Sequence, residues 1–142
     1  LMTEPTLTTA AFISILALFV YLWTSVNVGR ARKKYGILAP LTAGNSDFER
    51  VFRAQMNTLE QMAIFLPALW LFALFPCSPG FAGPVIWLLG GGWLLGRIAF
   101  AIGYYRAPDG RRFGFILSII SSSLLLLAAS AGVVMHLFRV VL

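Results

Sequence analysis

Charge is what this sequence has least of. Of its 142 residues only 11% are Asp, Glu, Lys or Arg, against 59% hydrophobic, and its mean hydropathy is +0.85. Soluble domains carry about 25% charge, so an integral membrane protein is the class that fits. Cysteine is nearly missing: Cys77 stands alone, which removes an intramolecular disulfide and a cysteine-based metal site. Its neighbours Pro76, Ser78, Pro79 and Gly80 make it a loop residue with no chemistry of its own. Histidine is as scarce. His136, near the end of an apolar run, reads as an interfacial side chain, and without a second histidine no metal cluster or histidine catalysis has a basis. Five acidic residues face eleven Lys and Arg, for a net charge of +6. Those cations sit in short clusters between apolar runs instead of along a solvated face, a pattern of membrane topology and not of nucleic-acid binding.

What is present is a series of long apolar runs. The first, over residues 7–28, is sufficient for a bilayer, which takes about 20 helical residues. Glu4 and the lack of a basic leader or small-residue cleavage site make it a membrane helix and not a cleaved signal. With their polar flanks the runs predict four helices, over about residues 7–34, 47–75, 83–106 and 112–141, in one all-α membrane domain across 1–142. Ser46-Asp-Phe-Glu49 matches a capping box and places the second helix start near Asp47. Pro67 predicts a kink or local rearrangement inside that helix. On the third, Gly92 and Gly96 have the spacing that lets membrane helices approach closely. Seven of the eleven Lys and Arg cluster around the end of the first helix (Arg30, Arg32, Lys33, Lys34) and the turn after the third (Arg106, Arg111, Arg112), and none lies between Pro76 and Pro84. Short basic loops stay cytoplasmic, so both termini are expected on the non-cytoplasmic side. The short chain without a targeting tail favours a bacterial inner membrane over the endoplasmic reticulum.

The second helix carries charge where lipid would be expected. Arg53, Asn57, Glu60 and Gln61 fall at i, i+4, i+7 and i+8, one stripe of a helix, with Phe52, Met56, Leu59 and Ala63 elsewhere. Ionisable groups at membrane depth normally face a protein interior or a wet cavity, so the stripe is either a site or a polar network joining helices. A second polar stripe, Arg97 and Tyr104 at i+7, lies on the third helix. Ser118, Ser121, Ser122 and Ser123 on the fourth can bond their own backbone and need no further role; Arg139 snorkels. The cytoplasmic half thus offers Arg32, Arg53, Asn57, Glu60, Gln61, Arg97, Tyr104, Arg106 and Arg111. Guanidinium groups fork onto carboxylates, Glu60 suits an amino group, and Asn57 and Gln55 suit peptide amides, so a small zwitterionic peptide with excess negative charge fits. No nucleophile, metal cluster or phosphate loop is evident. A reactive group would come from the ligand, and a ligand thiol, with a pKa near 8.5, would gain thiolate beside Arg111 or Tyr104.

The run Phe48-Glu-Arg-Val-Phe-Arg-Ala-Gln-Met-Asn-Thr-Leu-Glu60 resembles the signature of the MAPEG family, the membrane-associated proteins in eicosanoid and glutathione metabolism. Val28-Gly-Arg-Ala-Arg-Lys-Lys-Tyr35, Phe65-Leu-Pro67, Gly96-Arg97 and Gly103-Tyr-Tyr105 resemble it as well. The resemblance implies a homotrimer of four-helix subunits in the membrane, with glutathione as co-substrate held between neighbouring subunits toward the cytoplasm. It implies that Arg53, Gln55, Asn57 and Glu60 on the second helix, Arg32 at the end of the first, and Arg97 and Tyr104 on the third bind glutathione. Arg111 then stabilises the thiolate, with Arg112 or Arg106 as substitutes. Gln61 and Phe100 depart from the eicosanoid-type pattern, which has an aromatic residue, commonly Tyr, and a Tyr hydroxyl there. The Tyr104-Tyr105 doublet resembles the broader transferase and peroxidase branch.

Three functions follow as expectations. The first is a glutathione transferase, with peroxidase activity beside it, acting on hydrophobic electrophiles or lipid hydroperoxides in the bilayer. Against it stand a non-catalytic lipid-binding scaffold of the same fold, which has no need of Arg53, Asn57 and Glu60, and a transporter subunit, for which no span pair shows repeat symmetry.

Overall fold

In lipid every backbone N–H and C=O must find its partner inside its own segment, so long apolar runs become helices. The computed structural model describes residues 4–141, so the ends of the expected 1–142 domain lie outside it. Four helices carry the chain: α1 (Glu4–Tyr35), α2 (Ser46–Leu74), α3 (Pro79–Arg106) and α4 (Arg112–Val141), with a single 3-10 turn, Pro108–Arg111, between the last two. All four are long and apolar enough to cross a membrane. With their outer apolar surface they make the chain a multi-pass integral membrane protein.

Three helix starts differ from the sequence expectation, α1 being helical already at Glu4, the first described residue. The N-cap of α2 is Asn45 and not Ser46: its side-chain oxygen accepts from the backbone N–H of Asp47 at 2.9 Å and of Phe48 at 3.0 Å. Glu49 reaches back to the N–H of Gly44, the residue before the cap, at 3.0 Å, a back-bond that resembles a capping box without returning to the N-cap itself. Gly44, at φ +125°, makes the turn that puts Asn45 into the extended cap conformation. α3 begins at Pro79, a few residues before the expected start, because a proline in the first turn forfeits no intrahelical bond.

α2 and α3 are the centre of the bundle: each packs on the other and on both α1 and α4. Their main core contact is the stacking of Phe65 on Trp93, with ring centroids 4.1 Å apart and planes 2° from parallel. α3 and α4 are drawn closer still. A Cβ on Gly96 would lie 2.8 Å from the backbone N of Ser118 and 3.0 Å from the carbonyl of Gly114, and one on Gly114 would collide with the backbone of Phe100. The approach anticipated at Gly96 is therefore reciprocal, with Gly114 as its partner. Outward, Phe12, Ile15, Leu18, Phe19 and Leu22 of α1 and Ile116, Ile120, Leu124 and Leu127 of α4 stay exposed, as lipid-facing side chains do.

The glycine contact predicts an asymmetry. Gly114→Val forces α3 and α4 apart and lowers stability by about 1–3 kcal/mol. Gly91→Ala, where an added Cβ meets nothing within 4 Å, leaves it unchanged or raises it slightly. Thermal unfolding in detergent micelles reads both.

Candidate functional site

The close seam between α3 and α4 sets the depth at which a charge can be held. Arg97 is fully buried, 0% exposed, in the middle of the bundle. A cation there needs acceptors, and three neutral ones from two facing helices supply them. Nη2 donates to Asn57 Oδ1 at 2.9 Å and to Thr58 Oγ1 at 3.1 Å on α2, and Nη1 donates to Ser118 Oγ at 3.3 Å on α4. The guanidinium also lies 4.1 Å from the centroid of the Phe100 ring, a cation–π contact strengthened by desolvation. Ser118 can serve because its own proton goes to the carbonyl of Gly114 at 2.9 Å.

Asn57 carries this interior network to the surface. Its carbonyl oxygen is engaged by Arg97, and its Nδ2 donates to Glu60 Oε2 at 3.3 Å. Glu60 in turn accepts from Arg53 Nη1 at 3.1 Å and Nη2 at 3.5 Å, across two turns of α2. This last pair is half exposed, at 54% for Arg53 and 47% for Glu60, so its groups are free to exchange partners with a ligand. At the far wall Arg111 donates to Tyr104 Oη at 3.4 Å, with its guanidinium 5.0 Å from that ring's centroid. Arg112 pairs with Asp109 at 3.0 Å. Between them opens a cavity of about 380 Å³ lined by Arg53, Asn57, Phe100, Asp109, Arg111, Arg112 and Phe115.

The structure thus brings Arg53, Asn57 and Arg111 to one cavity, with Glu60, Arg97 and Tyr104 bonded directly to its lining residues. Two sequence candidates lie elsewhere. Gln55 points to α1, donating to Tyr21 Oη at 3.2 Å and Ser25 Oγ at 3.4 Å. At 100° per residue it is about 200° around α2 from Arg53, so one subunit cannot aim both at one ligand. Arg32 clamps the loop after α1, donating to the carbonyl of Leu41 at 2.7 Å and of Ile37 at 3.4 Å, over the Phe48 ring. Of the two substitutes for Arg111, Arg112 lines the cavity and Arg106 does not. Gln61 is a correction: it is not part of the Arg53–Asn57–Glu60 stripe but turns into the bundle, 9% exposed. Sequence reasoning passed over Thr58 and Ser118 as partners of Arg97, and Asp109 and Phe115 as cavity walls. A hydroxyl one residue from Asn57 was the only signal for Thr58. Among the described residues no three His, Cys, Asp or Glu side chains gather as a metal site needs.

The MAPEG family model matches residues 10–131. An uncharacterized protein of Synechocystis sp. is 49% identical over 136 residues, 96% of either chain. Microsomal glutathione S-transferase 2 of Homo sapiens is 35% identical over 123 residues, covering 87% of this chain and 80% of its own. Leukotriene C4 synthase of Rattus norvegicus is 32% identical over 126 residues, covering 89% and 81%.

The two halves of the network should respond differently to mutation. Asn57→Leu strips the buried guanidinium of its shortest bond and lowers stability by about 1–3 kcal/mol, whereas Arg53→Gln, which breaks only a half-exposed ion pair, changes it by less than about 1 kcal/mol. Melting temperatures of the two variants in one detergent give the comparison.

Proposed function

The chain belongs to the MAPEG family, and from that premise we propose that it is a membrane glutathione transferase, with peroxidase activity as a second reaction of the same thiolate. The observation that carries this reading is the convergence of Arg53, Asn57 and Arg111 on one cavity. Four guanidinium groups, of Arg53, Arg97, Arg111 and Arg112, surround that cavity or bond to its lining, against the two carboxylates of Glu60 and Asp109. The excess of positive charge suits glutathione, which carries two carboxylates and one ammonium group at neutral pH. The half-exposed Arg53–Glu60 pair is the natural receiver: Arg53 turns to a glutathione carboxylate and Glu60 to the ammonium group.

Arg111 supplies the chemistry. A thiol with a pKa near 8.5 is only a few per cent ionised at neutral pH, and an adjacent guanidinium raises that fraction. The thiol proton leaves to water, the thiolate sulfur forms a bond to the electrophilic carbon of the acceptor, and the leaving group departs with its electron pair. With a hydroperoxide, two glutathione thiols reduce the O–O bond to an alcohol and water and leave as the disulfide. The apolar acceptor reaches the sulfur from the membrane along Phe100 and Phe115. Glutathione enters from the cytoplasmic face of what we take to be a bacterial inner membrane, with both termini on the other side.

Gln55 and Arg32 belong to this reading only in an oligomer. Both sit away from the subunit's own cavity, so they act on glutathione bound to the next subunit, across a homotrimer interface that uses α2. A further feature supports a covering partner: from Arg53 and Glu60 the exposed side of α2 continues through Ile64, Pro67, Leu71 and Leu74. Glu60 is a carboxylate on a membrane helix, which favours protein over lipid against that stripe. A scaffold without catalysis gains nothing from Arg111 at the cavity.

Glutathione mixed with the purified protein should bind and develop thiolate absorbance, and Arg111→Ala should keep binding while turnover with an aryl halide or a hydroperoxide falls about a hundredfold. Wild type that binds lipid and no glutathione removes the proposal. Native mass spectrometry from detergent should give a particle of three chains; a monomer as the active species would contradict the shared site.

A further inference from the structure

Four buried polar atoms between α2, α3 and α4 have no hydrogen-bond partner among the described residues: Gln61 Oε1, Trp93 Nε1, Arg97 Nε and Ser122 Oγ. Their residues are 9%, 0%, 0% and 1% exposed. A fifth such atom, Arg50 Nε, lies three turns away along α2. Buried polar groups are almost always satisfied, so each orphan needs an explanation, and four together need a common one.

The contacts around them place the four in one layer. Thr58 and Phe65, which flank Gln61 by about one turn on either side, touch Arg97 and Trp93 respectively. Arg97 and Trp93 are one turn apart on α3. Ser122 is one turn beyond Ser118, which receives Arg97 Nη1, and next to Ser121, whose hydroxyl faces Gly92 beside Trp93. The residues that carry the unsatisfied atoms therefore lie at one level of the three helices, with Arg97 and Trp93 about one helical turn apart on α3.

The chemistry of the set identifies its occupant. Arg97 Nε and Trp93 Nε1 can only donate; Gln61 Oε1 can only accept, and Ser122 Oγ accepts as readily as it donates. A cation has no lone pair for the two N–H groups. An anion has no hydrogen for Gln61. Water has two of each, and its usual number of bonds when buried is about three, within a range of two to four.

We propose that Gln61, Trp93, Arg97 and Ser122 enclose one ordered water molecule, which fixes the guanidinium plane of Arg97 and makes Gln61 and Ser122 positioning residues for the site above. With Nε held as well as both Nη atoms, Arg97 cannot swing. Its grip on Asn57 Oδ1 then keeps Asn57 Nδ2 aimed at Glu60, so the carboxylate that meets the ligand is set from inside the bundle. The water site stands on the orphan atoms alone; its effect on ligand binding rests on the glutathione reading.

Two measurements test it. A structure of the assembled protein in lipid nanodiscs, at a resolution that shows solvent, is expected to have one density peak in hydrogen-bond reach of Arg97 Nε and Trp93 Nε1; side chains packed together there with no peak overturn the water site. By calorimetry, Gln61→Met, which keeps the volume and removes the acceptor, and Ser122→Ala are each expected to weaken glutathione binding about three- to tenfold, the effect of one lost buried hydrogen bond. Turnover at saturating glutathione should stay within about twofold, the signature of lost ground-state positioning. Gln61→Glu, which retains an acceptor, should restore affinity toward wild type. Variants that melt earlier yet bind glutathione as wild type does overturn the positioning role. If wild type itself binds no glutathione, the positioning role falls with the functional reading, and the solvent peak still decides the water site.

Discussion

The constraint on which this structure depends is a guanidinium that cannot leave the membrane interior. Arg97 sits about two-thirds of the way along α3 among apolar neighbours, and its hydrogen bonds go to neutral groups. An isolated charge at that depth is costly, so everything within reach is arranged around its donors: an amide and a hydroxyl on α2, a hydroxyl on α4, the face of Phe100. Those partners fix the relative rotation of three helices. They also explain why α4 must come so near, because Ser118 has a short side chain and meets Arg97 only if Gly96 and Gly114 let the two backbones approach.

The same arrangement separates two kinds of electrostatics within a few residues. Arg97 is held by its burial, and its bond to Asn57 connects it through that amide to Glu60. Arg53 and Arg111 are exposed and partnered by groups they can release. A site that must take up a charged ligand needs both kinds, because a pair that is fully buried resists exchange and one that is fully solvated orients nothing. Asn57 is the joint, with its oxygen turned inward and its nitrogen outward.

Most of the architecture was legible in the sequence, because hydrophobic runs and basic loops are one-dimensional signals and lipid leaves a chain few alternatives to helix. The Gly96 approach was legible for the same reason: a spacing on a single helix announces it. What escaped were features decided between elements. Gly114, Thr58 and Ser118 acquire their roles only from the helix opposite, and Ser118 reads alone as a residue that needs no partner. The shift of the α2 cap from Ser46 to Asn45 turns on the conformation of Gly44, which the capping pattern does not contain. Gln61 was misplaced because it lies about 80° around the helix from Arg53, at the edge of the stripe. Period alone does not decide which way an edge residue turns, and here Gln61 turns into the bundle.

Gln55 and Arg32 carry the remaining argument. Periodicity alone puts Gln55 across α2 from Arg53, yet both lie in the one stretch that most resembles the family signature. Gln55 is satisfied within its subunit by hydroxyls, Tyr21 and Ser25, which are neutral and replaceable by a ligand's amides; Arg32 is satisfied by carbonyls of the loop after α1, whose Ile37 N–H in turn caps the Arg32 carbonyl at the helix end. Within one subunit the Gln55 face is a polar contact between α2 and α1, and the Arg53 face lines the cavity. On the proposed trimer α2 is shared, one face completing its own subunit's cavity and the other completing a neighbour's. A single α2 would then meet two ligands, one on each face, and the polar residues on both faces of that helix would follow from it.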